Sequence, residues 1–177
     1  MAAENRPIQP EFAAVWKYCS HGLGVDIGCG TNRLSPDILA IDAFDHGVGP
    51  NNPDLICNAA LLDWREGRVR VGFRDECFDF IFSSHCLEDF VDIPGVLNEW
   101  WRKIKVGGFL VLLLPDMEGG RYPKVGDKDG NPSHRVNVGP IMFREMLSRL
   151  FGSACEIVQC DTLREGCTFD IVSQKKR

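Results

Sequence analysis

A chain of 177 residues with 44% hydrophobic and 25% charged residues has the size and composition of one globular domain, and we expect 1–177 to form it. The net charge of −5 and the scattered basic residues argue against a nucleic-acid-binding surface. The longest apolar run, residues 109–114, is far shorter than the roughly 20 residues of a membrane-spanning helix. Because no apolar signal-peptide core precedes Pro10, we expect a soluble, cytoplasmic protein.

The first predicted elements lead into a glycine turn. A helix is expected over residues 10–19, and a short buried strand over 23–26 precedes Gly28-Cys29-Gly30. Paired glycines let the main chain approach a ligand where a Cβ would clash. The next strand, 38–41, ends at Asp42, and an acid at that place can accept both hydroxyls of a ribose. The sequence therefore predicts a nucleoside-binding site.

The middle of the chain alternates strands with helices. The segment from Gly30 to Ile38 is too short for a full crossover helix, so a turn is expected there. Further strands are predicted over 54–57, 78–82 and 109–114. A helix is predicted from Pro94 to about Lys105, with its end at Gly107-Gly108. Residues 61–76 give no clear pattern, although 69–71 alternate as in a strand.

The last third contains a long loop. Residues 115–139 are rich in Gly, Pro, Asp and Asn, and loops of this length are commonly functional lids. A helix is predicted over 140–151, and strands over 156–163 and 168–173 form an antiparallel hairpin. The whole pattern indicates a three-layer α/β fold.

The cysteines indicate neither a metal site nor a disulfide framework. Eight are present, but no Cys-x-x-Cys pair occurs and the spacing fits no zinc ligand pattern. Several lie in strand-like segments, where a thiol behaves as a small hydrophobic side chain. We expect buried free thiols, with Cys160 and Cys167 as the one pair that could face each other across the terminal hairpin.

Two kinds of nucleoside cofactor bind at such a turn: nicotinamide dinucleotides and S-adenosylmethionine (SAM). The dinucleotide fingerprint requires a third glycine, where this chain has Arg33, and a helix whose N-terminus faces the pyrophosphate. SAM carries no phosphate and requires neither element. The residues therefore favour SAM, with a dinucleotide oxidoreductase as the disfavoured alternative.

Five segments, in order and at suitable spacing, carry the motifs of one family. They are Val-Asp-Ile-Gly-Cys-Gly at 25–30, Leu-Ala-Ile-Asp at 39–42, Cys-Asn-Ala-Ala-Leu-Leu at 57–62, Phe-Asp-Phe-Ile-Phe-Ser-Ser-His-Cys-Leu-Glu at 78–88 and Lys-Val-Gly-Gly-Phe-Leu at 105–110. In these segments, and in the closing strand at 169–173, the chain resembles the class I SAM-dependent methyltransferases of the compact type 11 subgroup. The resemblance implies a Rossmann-like fold with a mostly parallel seven-stranded sheet and an antiparallel C-terminal hairpin.

The resemblance also implies the cofactor-binding residues. They are Asp26, Gly28, Cys29, Gly30, Asp42, Ala43, Asn58, Ala59 and Ser83. Asp26 would brace the glycine turn near the amino group, Asp42 would hold the ribose, and main-chain groups at Ser83 would meet the methionine end. Asn58 stands where the family commonly has an acid that binds the adenine amine, so the contact loses charge assistance. The released product would be S-adenosylhomocysteine (SAH).

His85 is the candidate general base, because it follows a strand at the mouth of the pocket and titrates near neutrality. The alternative is that it begins the next helix and packs there. His134 and Arg135, with Asp116 and Tyr122, could fold over the pocket and contact a substrate, or they could be solvated loop residues.

Three tryptophans have competing interpretations as well. Trp100 and Trp101 are interpreted as core residues, since they lie on the apolar face of the predicted helix. Trp64 could flank the adenine or cover the core.

The substrate is predicted only by class. The Asn-Pro-Pro-Tyr motif of enzymes that methylate adenine, cytosine or glutamine amines is replaced by Ser83-Ser84-His85-Cys86. We therefore expect transfer of a methyl group to a small-molecule or sugar-like acceptor by in-line displacement. The alternative is a SAM-binding sensor or partner subunit without catalysis. The sequence predicts no oligomeric state.

Overall fold

A computed structural model describes residues 12–45, 52–66, 68–163 and 167–177. The helices are α1 (Trp16–Cys19), α2 (Ile93–Lys103) and α3 (Pro140–Phe151). The strands are β1 (Gly24–Ile27), β2 (Leu39–Asp42), β3 (Leu55–Ile56), β4 (Asp63–Glu66), β5 (Val69–Gly72), β6 (Phe78–Ser84), β7 (Ile104–Pro115), β8 (Cys155–Leu163) and β9 (Thr168–Lys175).

The main sheet has seven strands in the order β3-β2-β1-β6-β7-β9-β8. The first five are parallel, and β9 is antiparallel to both β7 and β8. This confirms the predicted, mostly parallel sheet with an antiparallel C-terminal hairpin, although the turn at 164–166 lies outside the described residues. The order of strands reverses at β1 and β6, so the carboxyl ends of these two strands open the crevice in which ligands of such sheets bind.

The sheet is covered on both faces. Strand β6 shows the alternation, because Ile81 belongs to a core cluster that includes α2 and α3, while Phe80 and Phe82 belong to a second cluster near α1. Helix α2 begins at the N-cap Asp92, whose carboxylate accepts a hydrogen bond from the Gly95 amide. Its buried face includes both tryptophans, which confirms their assignment to the core: Val96, Leu97, Trp100, Trp101.

Gly107 and Gly108 do not end helix α2, contrary to the sequence prediction. The helix ends at Lys103, because Ile104 already has extended backbone angles and starts β7. Ile104 pairs with Phe78 and Phe109 pairs with Phe80, so the residues between them form a bulge in β7. A Cβ at Gly108 would overlap the Asp79 carbonyl, which explains why glycine stands at this close approach of two strands.

Other element boundaries also differ from the prediction. The helix expected over 10–19 is regular only over Trp16–Cys19, and Val15 provides no side-chain cap at its start; residues 10 and 11 lie outside the described part. Strand β6 continues through Ser84, two residues beyond its predicted end. Ser83 fits within the strand because its hydroxyl donates to the Ile27 carbonyl, 2.8 Å away. Residues 63–72, for which the pattern was unclear, form the separate β4–β5 hairpin.

The loop predicted over 115–139 begins one residue later, because Pro115 is the last residue of β7, and residues 116–139 contain no helix or strand. Its base is closed by a hydrogen bond of 2.9 Å from the Met117 amide to the Val138 carbonyl. Glu118 caps α3, since its carboxylate oxygens accept from the Ile141 and Met142 amides at 2.9 and 3.0 Å. The loop is therefore fixed to the fold at both ends.

All eight cysteines are free thiols. Cys160 lies opposite Ile171 in the β8–β9 ladder, so it does not pair with Cys167. Among the described residues no cluster of three His, Cys, Asp or Glu side chains is arranged to hold a metal ion. Within the same residues, no helix combines the length and apolar character needed to cross a bilayer.

Candidate cofactor and active site

The glycine turn folds back onto the end of β2. Gly28 and Gly30 have φ angles of +69° and +52°, in the left-handed region that favours glycine. The Gly28 amide donates to the Ile41 carbonyl at 2.9 Å, and the Gly30 amide donates to Oδ2 of Asp42 at 2.9 Å. The turn and the strand-end acid thus form one hydrogen-bonded unit.

Asp42 is held by main-chain donors on both of its oxygens. Besides the Gly30 bond, Oδ1 accepts from the Phe44 amide at 3.2 Å, and the residue is only 9% exposed. A carboxylate offers about four acceptor positions, so these bonds are compatible with accepting the hydroxyls of a ribose. The position and orientation of Asp42 therefore suit the role predicted from the sequence.

Asp26 braces the turn from inside the protein. It is buried, and its Oδ2 accepts a hydrogen bond of 2.7 Å from the Leu34 amide. Burial raises the pKa of Asp26 to about 7, and Asp42 adds to the rise, whereas the Leu34 bond and Arg33 oppose it. The carboxyl is therefore poised to change its charge near neutral pH.

Asp26 should make the protein less stable as the pH rises. The folded-state pKa of about 7 lies above the ordinary value of 3.8, so the folded state binds more protons between these values and the free energy of unfolding falls as pH increases through this window. The full difference corresponds to at most on the order of 4 kcal/mol. Asp26→Asn should flatten this slope in urea denaturation between pH 4.5 and 8. A variant with the wild-type slope would contradict the buried, protonated Asp26.

Two cavities lie on either side of Asp42. The smaller, of about 330 Å³, flanks the glycine turn and is lined by Asp26, Gly28, Cys29, Gly30, Thr31, Asn32, Ser84 and His85. The larger, of about 680 Å³, is lined by Ala43, Ile56, Cys57, Asn58, Ala59, Leu61, Asp63, Trp64 and Phe90. Asp42 bonds Gly30 of the first cavity and precedes Ala43 of the second, so the acid adjoins both cavities.

The larger cavity is bounded by a turn that Asn58 stabilises. Its Oδ1 accepts from the Ala60 and Leu61 amides at 3.0 and 3.2 Å. The Ala59 carbonyl accepts a hydrogen bond of 2.7 Å from the Trp100 indole, which fixes the segment to α2. Since the Asn58 oxygen already accepts two hydrogen bonds, an adenine amine would compete for it. Trp64 packs against the core and also lines the cavity, so it covers the core, while its contact with the adenine stays a prediction.

The end of β6 forms one wall of the smaller cavity, but through the residues that follow the predicted Ser83. Ser83 is buried between β1 and β7, opposite Ile27 and Leu112. Ser84 and His85 line the smaller cavity instead. Sequence reasoning also missed Thr31 and Asn32 in this wall, although both directly follow the glycine turn.

His85 lies at the cavity and not in a helix. Its φ is +51°, its amide donates to the Leu113 carbonyl at 2.9 Å, and a short 3-10 turn, Leu87–Asp89, follows it. His134 is buried, whereas Arg135 is exposed. The centroid of the Tyr122 ring lies 6.3 Å from that of His85 and 5.7 Å from that of His134.

Asp116 shapes the start of the same loop. It is buried, and its carboxylate accepts a 2.8 Å hydrogen bond from the Gly119 amide. It therefore stabilises a turn of the loop, while Tyr122 and His134 bring the loop to the site.

Arg33 explains why the third glycine of a dinucleotide fingerprint is absent. Its guanidinium is buried and forms a bidentate ion pair with Asp54, with N–O distances of 2.6 and 3.1 Å. It also donates to the carbonyls of Ile38 and Asn52. Arg33 thus fixes the β1–β2 connection to the segment that precedes β3.

Comparison with known proteins agrees with this geometry. A family model described as a methyltransferase domain, of type 11, matches residues 25–112, which carry the glycine turn, Asp42 and His85. The chain belongs to the class I SAM-dependent methyltransferases. Its cofactor is SAM, and the turn and strand-end acid described above fit the cofactor of this family. A curated relative, the demethylmenaquinone methyltransferase of Roseiflexus sp. (strain RS-1), is 26% identical over 135 residues, or 72% of this chain. The chain spans 55% of the length of that relative.

Solved methyltransferase structures share the fold. A SAM-dependent methyltransferase of Thermotoga maritima, described as a possible histamine N-methyltransferase, has a TM-score of 0.72 at 21% identity, covering 94% of this chain and 88% of that one. The 1,6-didemethyltoxoflavin-N1-methyltransferase of Burkholderia thailandensis, solved with its substrate and SAH, has a TM-score of 0.67 at 14% identity, covering 96% of this chain and 78% of that one. At these identities the two structures show a shared fold.

Proposed function

We propose that this protein transfers the methyl group of SAM to a small-molecule or sugar-like acceptor. The observation that carries the proposal is the glycine turn hydrogen-bonded to Asp42, with one cavity on each side. When bound, SAM supplies an electrophilic methyl group on a sulfonium. The thioether leaves without acid catalysis, so the protein contributes by orienting the acceptor and excluding water.

The two cavities divide the cofactor between them. Gly28, Cys29 and Gly30 would present main chain to the methionine portion, with Asp26 behind the turn and Ser83-Ser84 at the end of β6. Asp42 would bind the ribose. The adenine would occupy the larger cavity with Ala43, Asn58 and Ala59. A Cβ built on Gly30 meets nothing within 4 Å, which indicates open space for a ligand beside the turn.

Two features support a small acceptor near His85. The side chain lines the smaller cavity, where it can accept a proton from an acceptor oxygen or nitrogen. The loop at 115–139 lies against it through Tyr122, and we propose this loop as the lid that holds the acceptor. Arg135 is exposed and available to a substrate, whereas His134 contributes from a buried position. The two relatives named above for quinone and toxoflavin methylation act on small molecules, as their names state.

Titration calorimetry, thermal denaturation and a methyl-transfer assay test the proposal. SAM and SAH should bind and raise Tm, NADH should do neither, and labelled methyl from SAM should appear in at least one pool of small metabolites. Stabilisation by NADH alone would contradict the cofactor assignment. Tight SAM binding without turnover in any pool would contradict catalysis and favour the sensor or partner-subunit alternative.

Asn58→Asp should tighten SAH binding about 3- to 10-fold. An aspartate can keep the Ala60 and Leu61 bonds on one oxygen and offer the second, charged oxygen to the adenine amine, and a charge-assisted hydrogen bond is about twice as strong as a neutral one. Titration calorimetry measures the change, with Asn98→Asp on the exposed side of α2 as the control. Unchanged or weaker binding would place the adenine amine away from residue 58.

A further inference from the structure

Glu88 is a completely buried acid that the proposed function does not use. It lies in the 3-10 turn that follows β6, and its exposed fraction is 0%. Within the described residues, neither of its carboxylate oxygens has a hydrogen-bond partner. A buried carboxylate without a partner costs several kcal/mol, so a fold that keeps one there must compensate its charge. The nearest polar groups to its carboxylate are the imidazoles of two histidines.

One oxygen of Glu88 lies between two imidazoles. Oε1 is 3.5 Å from Nδ1 of His85 and 3.5 Å from Nε2 of His134. His134 is buried as well, and its Nδ1 has no hydrogen-bond partner in the part of the chain that the structure describes. Such distances are longer than a formed hydrogen bond, and contacts of this kind commonly shorten when a catalytic complex forms. Glu88 is thus the acceptor toward which both rings direct a nitrogen.

The main chain of Glu88 also holds the loop. The Arg135 and Val136 amides donate to the Glu88 carbonyl at 2.9 and 3.3 Å. The neighbouring Asp89 accepts a hydrogen bond of 2.9 Å from the Ser133 hydroxyl. The turn after β6 therefore carries His85 at the cavity and fastens the part of the loop that contains His134.

We propose that Glu88 is a positioning residue that fixes the tautomer of His85 and couples it to the loop through His134. This inference rests on the proposed function. With the Nδ1 proton directed to Glu88, the Nε2 lone pair of His85 is left as the acceptor for a proton, which is the logic by which a buried acid orients a catalytic histidine. As the acceptor heteroatom gains the methyl group, its proton passes to Nε2, and the partly exposed His85 then releases it to water.

The electrostatic surroundings of Glu88 are defined by six groups. They are His85, Cys86 and Asp89 on its own segment, and Tyr122, His134 and Arg135 on the loop. Asp89 and Glu88 repel each other, and burial together with this repulsion raises the pKa of Asp89. The groups that face the Glu88 carboxylate with a nitrogen are therefore the two imidazoles, one on its own segment and one on the loop.

Glu88→Gln and Asp89→Asn form a matched pair for the test. Both variants neutralise an acid of the same turn, but only Glu88 contacts the imidazoles. In the SAH complex, ¹⁵N NMR of the four histidines, with His85 assigned by a His85→Gln variant, should show His85 with its proton on Nδ1. Glu88→Gln should move His85 toward the Nε2-protonated tautomer, whereas Asp89→Asn should leave it unchanged. An unchanged His85 tautomer in folded Glu88→Gln would overturn the proposal.

Kinetics with the identified acceptor supply the second readout. Glu88→Gln should lower kcat about 100-fold, close to His85→Ala, and leave the KM for SAM within about threefold, because Glu88 lines neither cofactor cavity. A normal kcat would overturn the positioning role.

If Glu88→Gln fails to fold, His134→Gln tests the coupling between His85 and the loop. This variant should keep the His85 tautomer and speed hydrogen exchange at Arg135 and Val136. Unchanged exchange would overturn the coupling. If no acceptor is methylated by wild type, the proposed function fails while the NMR result still decides the role of Glu88.

Discussion

Asp42→Asn is expected to weaken SAH binding by at least about 100-fold, or about 2.7 kcal/mol. The Gly30 and Phe44 amides donate to different oxygens of Asp42, so an amide in its place turns an NH₂ group toward one of these donors. The variant also loses the negative charge that strengthens hydrogen bonds from the ribose hydroxyls. Titration calorimetry with SAH measures the effect.

Asp37→Asn is the matched control for this variant. Asp37 is an exposed acid in the β1–β2 connection, and neither cavity includes it. It should bind SAH with wild-type affinity. If Asp42→Asn bound SAH within about threefold of wild type, the ribose would lie elsewhere and the division of the cofactor between the two cavities would be wrong.

The geometry of the glycine turn and of Asp42 could be predicted from sequence because it is local. Gly28 and Gly30 are required by the backbone angles of the turn itself, and Asp42 ends the next strand along the chain. The strand order then brings the ends of β1 and β2 together, as it does in any sheet of this kind. Little information from distant residues was needed.

Features that depend on distant contacts were not predictable in the same way. Gly107-Gly108 has the sequence of a helix end, yet its role is set by Asp79 on the neighbouring strand. Strand β6 extends two residues further than predicted, so Ser83 and Ser84 both belong to it. Since side chains alternate between faces along a strand, Ser84 lines the cavity and Ser83 does not. An assignment of site residues at a strand end is therefore sensitive to a single residue.

The Glu88 cluster combines a local and a distant signal. His85 and Glu88 are three residues apart at the start of the turn after β6, so their closeness along the chain was visible in the sequence. His134 comes from the long loop, and no periodicity connects it to Glu88. Because Glu88 lies so near the candidate base His85 in the sequence, a contact between the two could still have been considered.

Gly28→Ala and Gly30→Ala are expected to impair different properties: the first mainly stability, the second mainly SAH binding. A methyl group at Gly28 would overlap the Cys86 thiol, in addition to the strain of a φ of +69°. We expect Gly28→Ala to lower the free energy of unfolding by about 2–4 kcal/mol, from overpacking and backbone strain together. At Gly30 an added methyl meets nothing within 4 Å, so only strain of about 1–2 kcal/mol is expected there.

Gly30→Ala, the variant with the smaller expected loss of stability, should have the larger loss of SAH affinity. The Gly30 methyl would occupy space in the smaller cavity, so Gly30→Ala should weaken SAH binding at least about 10-fold despite its smaller loss of stability. Gly120→Ala is the control, because Gly120 also has a positive φ (+71°) and open space but lines neither cofactor cavity. It should lose similar stability and bind SAH normally. Urea denaturation without ligand and calorimetry with SAH separate the two effects. If Gly30→Ala bound SAH as well as Gly120→Ala does, the main chain of the turn would not be in contact with the cofactor.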